Sequence, residues 1–216
     1  MPDSLVLAGL TDEIYSPDGM DLLTATERER AAAFAREADR RDFVAAHVLV
    51  RRCAAKVAGV PEDRLTLLQV CEYHGPGHGR PYIAEIPRLG VSLSHSRGYV
   101  CAAAGPGRIG VDAERVPGGP LDTSLAAQAL SPGELALVRD NEALIRLWVR
   151  KEALVKRGEL TLDGLRTTDL SALPPGPAPG DRHTLRWQGR HLLEWRTSGE
   201  DRVAVCVISD HPAVLG

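Results

Sequence analysis

The sequence predicts an α+β fold built from two halves of similar size. Two observations point there. Helix-period patterns followed by strand-like runs occur twice along the chain, and a Gly105-Pro106-Gly107 turn lies near its middle. The halves are residues 1–105 and 106–216. A chain of 216 residues can bury a substantial core, and 44% hydrophobic with 25% charged residues is ordinary for a soluble globular protein. No apolar run approaches the ~18 residues needed to span a bilayer. The start, MPDSLVLAGLTDEIYS, has no basic region and carries acids early, so it does not read as a signal peptide. A cytoplasmic protein with no membrane partner is expected. Net charge is −3, which argues against a general nucleic-acid binder. Cys53, Cys71, Cys101 and Cys206 form no CxxC pair and read as reduced, mostly buried thiols.

Taken in order, Thr24 and Glu27 form a capping box ahead of an alanine-rich helix. A second helix is predicted from about Asp39 to Ala58, stopping at Gly59. Phe43, Ala46, Val50, Cys53, Ala54 and Val57 recur at steps of three and four and form its buried face. Arg40, Arg41, Arg51 and Arg52 fall on or beside the polar side, where a solvated helix face is the simplest reading. Residues 61–90 alternate short apolar runs with turn residues, and YHGPGHGRPY reads as a loop. The runs YVCAAA and RIGVDAERV, flanking Gly105–Gly107, suggest a hairpin. Ser131 and Glu134 form another capping box with Pro132 at the first helical position. A long helical pattern follows, with a break near Asn141 and a stop at Gly158. LPPGPAPGD is too rich in proline and glycine for regular structure. Three strand-like runs close the chain, around Thr184–Trp187, His191–Arg196 and Val203–Ile208.

Four groups carry chemistry. Asp112 and Glu114 alternate on a strand and so share a face. Two carboxylates side by side repel unless a cation intervenes, and a hard divalent ion with oxygen ligands suits them; a solvated acidic strand edge is the plainer alternative. Trp148, Glu152 and Lys156 are spaced by four on one helix face. This is either an ordinary i,i+4 ion pair or a helix-borne glutamate completing a three-carboxylate metal site, with Lys156 facing the phosphates the metal holds. Only three of the 26 basic residues are lysine, and two of them, Lys151 and Lys156, sit in this motif. Ser94 and His95, within SLSHS, make a phosphate-contacting corner or a self-bonded turn. Arg80, in Gly79-Arg80-Pro81, is a basic residue in a rigid loop. No GxSxG elbow is present to support a serine hydrolase.

SLSHS, then GVDAE about 20 residues on, then WVRKEALVK about 40 further, resembles the 4′-phosphopantetheinyl transferase superfamily, in its single-chain Sfp type that activates surfactin-like synthetases. GRP before SHS fits the same pattern, and ADRRDFVAAHVLVRR looks like the arginine-bearing helix upstream in that family. The resemblance covers about residues 35–170. It implies a pseudo-twofold arrangement of two similar α/β subdomains, with coenzyme A between them and the metal site in the second. By resemblance, the metal-binding acids are Asp112, Glu114 and Glu152, and the phosphate-binding lysine is Lys156. Asp112, Glu152 and Lys156 are the implied catalytic set. Arg80, Ser94 and His95 would contact coenzyme A, and Arg51 and Arg41 are candidates for its 3′-phosphate. Mg²⁺, or Mn²⁺, is the implied cofactor.

The implied reaction moves the 4′-phosphopantetheine arm of coenzyme A onto a serine of an apo acyl or peptidyl carrier protein of fatty acid, polyketide or nonribosomal peptide synthesis. Adenosine 3′,5′-bisphosphate leaves, and the enzyme is a monomer. Two rivals use the same residues: a non-catalytic coenzyme A or nucleotide-binding module, and a metal-dependent phosphohydrolase. One departure stands out. The family often follows KEAxxK with a small residue and a second glycine, whereas Arg157-Gly158-Glu159-Leu160 follows here.

Overall fold

A computed structural model describes residues 4–71, 75–199 and 201–216, omitting the side chain of Cys71. The chain opens with β1 (Ser4–Leu10), a strand the helix-first reading misses, and a single turn, α1 (Thr11–Ile14). The capping box forms as predicted: the Thr24 hydroxyl accepts from the Glu27 amide, and α2 (Ala25–Ala32) follows. Next comes α3 (Glu37–Ala58), 22 residues long, ended by Gly59 in the left-handed region at φ 69°. The strands β2 (Leu67–Cys71), β3 (Gly75–Ile83), β4 (Leu89–Ser96) and β5 (Tyr99–Pro106) complete the first half. Most of the stretch read as a loop is therefore strand β3. Its glycines at 75, 77 and 79 take positive φ, and the pairing with β2 shifts register at Gln69/Val70, so the strand is irregular enough to look like a loop in sequence.

The second half holds β6 (Ile109–Arg115), α4 (Thr123–Ala129), the one-turn α5 (Pro132–Leu135) and α6 (Asn141–Lys156). The strands β7 (Arg182–Trp187), β8 (Arg190–Arg196), β9 (Val203–Ser209) and β10 (Ala213–Leu215) follow. The break near Asn141 is real: Asp140 caps α6 by accepting from the Ala143 amide at 2.8 Å, and Asn141 starts the new helix.

One sheet has the order β10-β1-β5-β4-β3-β2 and the other β6-β9-β8-β7. The predicted hairpin across Gly105–Gly107 is not one. β5 and β6 lie in different sheets, and the turn carries the chain from one sheet to the other. The tail returns, and β10 pairs in parallel with β1, so the first sheet draws on both ends of the chain.

The layers follow from strand alternation. Val100, Ala102 and Ala104 of β5 face α3, packing with Ala46, Val50 and Cys53. Cys101 and Ala103 face the second sheet, packing with Val111, Ala113, Val205 and Val207. On the far side of that sheet, Cys206 and Ile208 meet Val149, Ala153 and Leu154 of α6. The order is helix, sheet, sheet, helix, an α+β architecture with one long helix covering each outer face. Among the described residues no helix is long and apolar enough to cross a membrane.

Candidate active site

Close packing of α6 on β6 builds the centre of the site. Gly110, Asp112 and Glu114 alternate onto the β6 face that looks toward α6. A Cβ at Gly110 would overlap the Ala153 carbonyl oxygen and approach the Arg157 amide, so only glycine lets the helix lie this near. The approach brings the stripe of Trp148, Glu152 and Lys156 up to the acids. Lys156 Nζ donates to Asp112 Oδ1 at 2.7 Å and to the Leu93 carbonyl at 3.2 Å. The i,i+4 partnership of Lys156 with Glu152 does not form among the described residues; the lysine turns to the strand acid instead. Past α6, Gly158 takes φ 77°, and buried Arg157 bonds the Arg108 carbonyl, Asp210 and Glu159. The unusual residues after the motif thus anchor the helix exit.

These groups line a cleft of about 580 Å³ shared by both halves. It opens where β3 parts from β4, the two strands pairing among the described residues only at Tyr82–Gly90. Asp112, Glu114, Trp148, Glu152 and Lys156 come from the second half, and Arg80 and His95 from the first. Arg30, Phe43, His47 and Gln69 also line it, and the sequence reading misses them. The Arg30 guanidinium lies over the Phe43 ring at 5.1 Å and donates to Gln69 at 2.9 Å. His47 stacks on Phe43 at 3.8 Å, and burial lowers its pKa to about 4, leaving it neutral. Nothing in the local sequence marks Arg30, because its place depends on how α2 lies across α3 and β3.

The acids are under electrostatic strain. Burial raises the pKa of Glu114, and the charge of Asp112 raises it further, against a hydrogen bond from Ser96. Burial and Asp112 likewise raise Glu152, while Lys156 opposes them. Desolvation lowers His95, which is open to solvent on one side but set against the cleft wall. Among the described residues no three His, Cys, Asp or Glu side chains stand together as a closed metal cluster. Even so, Asp112 Oδ2 and Glu152 Oε1 are both buried without a hydrogen-bond partner. Buried, unpartnered carboxylate oxygens beside a third acid are a donor set that a hard, oxygen-preferring cation fits.

Of the remaining predicted residues, Arg80 and Ser94 line the cleft and Arg51 and Arg41 do not. Arg51 does not reach the cleft. It is fully buried, its two terminal nitrogens on the two oxygens of Glu27 at 3.0 and 2.6 Å, so its guanidinium is not available to a phosphate. Helical periodicity places it beside the polar face, but α2 folds over that side and supplies Glu27 as its partner. Arg41 is half exposed, pairs with Asp12 at 2.8 Å and lies over the Tyr15 ring, outside the cleft lining. Ser94 is buried and directed at Asp112 rather than at open solvent. Arg80 stands exposed on strand β3, donating to the Arg157 carbonyl at 3.2 Å. Trp148 is half-buried, packing against the core of the second half on one side and forming cleft wall on the other. Lys151 is the reverse: fully buried, it donates to Glu134 at 2.6 Å and to the Ala129 and Leu165 carbonyls at 2.8 and 2.6 Å.

Residues 108–208 match the 4′-phosphopantetheinyl transferase superfamily. The chain is 27% identical over 144 residues to a 4′-phosphopantetheinyl transferase of Bacillus subtilis, a match covering 64% of this chain and 61% of that protein. It is 26% identical over 136 residues to the 4′-phosphopantetheinyl transferase psf-1 of Bacillus pumilus, covering 60% and 55%. The chain thus spans less than two thirds of the length of these curated relatives. The similarity is to the superfamily in its single-chain Sfp type, as the motifs indicate.

Proposed function

We propose that this chain, similar to the 4′-phosphopantetheinyl transferases through its second half and to Sfp-type enzymes over most of its length, transfers 4′-phosphopantetheine from coenzyme A to a carrier-protein serine. The observation that carries the reading is the convergence of Asp112, Glu114, Glu152 and Lys156 on one cleft that Arg30, Arg80 and His95 also line. Such a transfer is mostly positioning and charge neutralisation, and this cleft offers both acids for a cation and bases for phosphates.

Asp112, Glu114 and Glu152 would hold Mg²⁺, or Mn²⁺, which when bound neutralises pyrophosphate charge. Arg80, Arg30 and His95 would bind the phosphates of coenzyme A; Arg30 takes the part that the resemblance implies for Arg51 and Arg41. In the reaction, the carrier serine oxygen forms a bond to the β-phosphorus while the bridge to the α-phosphate breaks. Glu152, its basicity raised by burial and by Asp112, accepts the serine proton. Lys156 stabilises the charge that builds on the departing phosphate, and adenosine 3′,5′-bisphosphate leaves. Both halves of the cleft come from one chain, which supports a monomer; a place in the cytoplasm belongs to the same proposal. Acyl and peptidyl carriers are the acceptors.

The test is the intact mass of several apo carriers after incubation with the protein, coenzyme A and Mg²⁺. A gain of one phosphopantetheine on a carrier is expected, lost in excess chelator. Full activity in chelator would overturn the metal assignment. Release of free phosphopantetheine with no carrier present would favour the phosphohydrolase.

A further inference from the structure

β6 is the edge strand of its sheet, so every second amide along it points away from β9 with no strand to receive it. Serine hydroxyls of β4, from the other sheet, take these amides. Val111 N donates to Ser92 Oγ at 3.0 Å, Ala113 N to Ser94 Oγ at 3.2 Å and Arg115 N to Ser96 Oγ at 3.1 Å. The three serines alternate along β4 and are all buried, so they form one rail between the sheets.

Two of them do more. Ser94 Oγ donates to Asp112 Oδ1 at 2.9 Å, and Ser96 Oγ donates to Glu114 Oε1 at 2.6 Å. Ser92 stands opposite the part of β6 where Gly110 has no side chain, and among the described residues no bond from it to an acid forms. A hydroxyl has one proton. Once the β6 amide is aimed at the oxygen, that proton points to the adjacent carboxylate, and its direction fixes the carboxylate's rotation. On Asp112 the effect is one-sided. Ser94 and Lys156 both donate to Oδ1, while buried Oδ2 has no partner.

We propose that Ser94 and Ser96 are positioning residues for the acid pair: each reads the β6 backbone with its lone pair and turns Asp112 or Glu114 with its proton, presenting the free carboxylate oxygens to a divalent cation. This rests on the proposed metal-dependent transfer. It reassigns Ser94 from touching coenzyme A to acting through Asp112, and it makes the first sheet a part of the metal site. Ser92 shares the backbone contact and lacks the acid contact, so it is an internal control.

The experiment measures Mn²⁺ affinity of the full chain without coenzyme A, by the paramagnetic resonance signal of free Mn²⁺, in Ser92→Ala, Ser94→Ala and Ser96→Ala. Outer-shell partners of metal ligands are typically worth 10–100-fold in affinity. Ser94→Ala and Ser96→Ala should each weaken Mn²⁺ binding by about tenfold or more. Ser92→Ala should stay within about twofold, although the melting temperatures of all three fall because each loses a backbone contact. In the transfer assay, raised Mg²⁺ should recover turnover in Ser94→Ala and Ser96→Ala. Equal Mn²⁺ weakening in all three variants, or none in any, overturns the positioning role and leaves the transferase reading standing. No Mn²⁺ binding by the parent chain overturns the metal site itself.

Discussion

Helix α6 carries two lysine–carboxylate pairs five residues apart, one fully buried behind the helix and one half-buried in the cleft. Lys151 meets Glu134 at 2.6 Å, and Lys156 meets Asp112 at 2.7 Å. By distance and chemistry they are the same interaction. Their surroundings differ. Around Lys151 every visible valence is used: the ammonium has three acceptors, and Glu134 also receives the Ser131 and Leu170 amides. Around Lys156 the network is open, with Asp112 Oδ2 and Glu152 Oε1 buried and unpartnered and the lysine partly exposed. A closed network holds elements together, here α4, α5 and α6. An open one holds groups ready for something that arrives. What marks a site is the valence left over, not the ion pair.

The comparison can be broken by removing either lysine or its acid. The largest effect is expected behind the helix. Lys151→Met leaves Glu134 buried and uncompensated, at a cost of roughly 3–5 kcal/mol of stability. Chemical denaturation should show this as a lower midpoint, while turnover per folded molecule stays near that of the parent. A stable, inactive Lys151→Met would instead place Lys151 in the chemistry. In the cleft, Asp112→Ala should cut turnover by at least ~100-fold with the melting temperature little changed, since it removes a group of the open network. Unfolding of Asp112→Ala, with the residual folded protein fully active, would make the two pairs alike after all. The smallest change is Lys156→Arg, which keeps the charge and could keep the bond to Asp112. Turnover at saturating coenzyme A and carrier should still fall by about tenfold or more, because a planar guanidinium cannot take the place of an ammonium beside the leaving phosphate. A value within about twofold of the parent would reduce Lys156 to a structural charge.

Several elements were legible before any coordinates. Both capping boxes, the glycine stop of α3 and the break at Asn141 are local, set by a few neighbouring residues bonding their own backbone. The acids Asp112 and Glu114 were legible for the same kind of reason, since strand alternation puts them on one face. SLSHS holds a further signal of this local kind: hydroxyls at 92, 94 and 96 share the strand period and so share a partner. The assignment of β5 and β6 to one hairpin failed because pairing is not local. Both strands are apolar and flank a turn, but β6 finds β9, and its other edge finds serines instead of β5.

By itself, then, the sequence determined the α+β class, the long helices and their ends, and the shared face of Asp112 and Glu114 on one strand and of Glu152 and Lys156 on one helix. These depend on periodicity and on short-range backbone chemistry, which residue order states directly. Only the tertiary structure decided which charges are closed and which are open. Arg51 and Lys151 look like surface or site residues in the chain, yet the fold brings Glu27 and Glu134 to them and buries both pairs. Arg30 looks incidental, yet the fold leaves it facing the cleft. The physical reason is that a charge's role depends on which partners reach it and how much water remains, and both are set by elements distant in sequence.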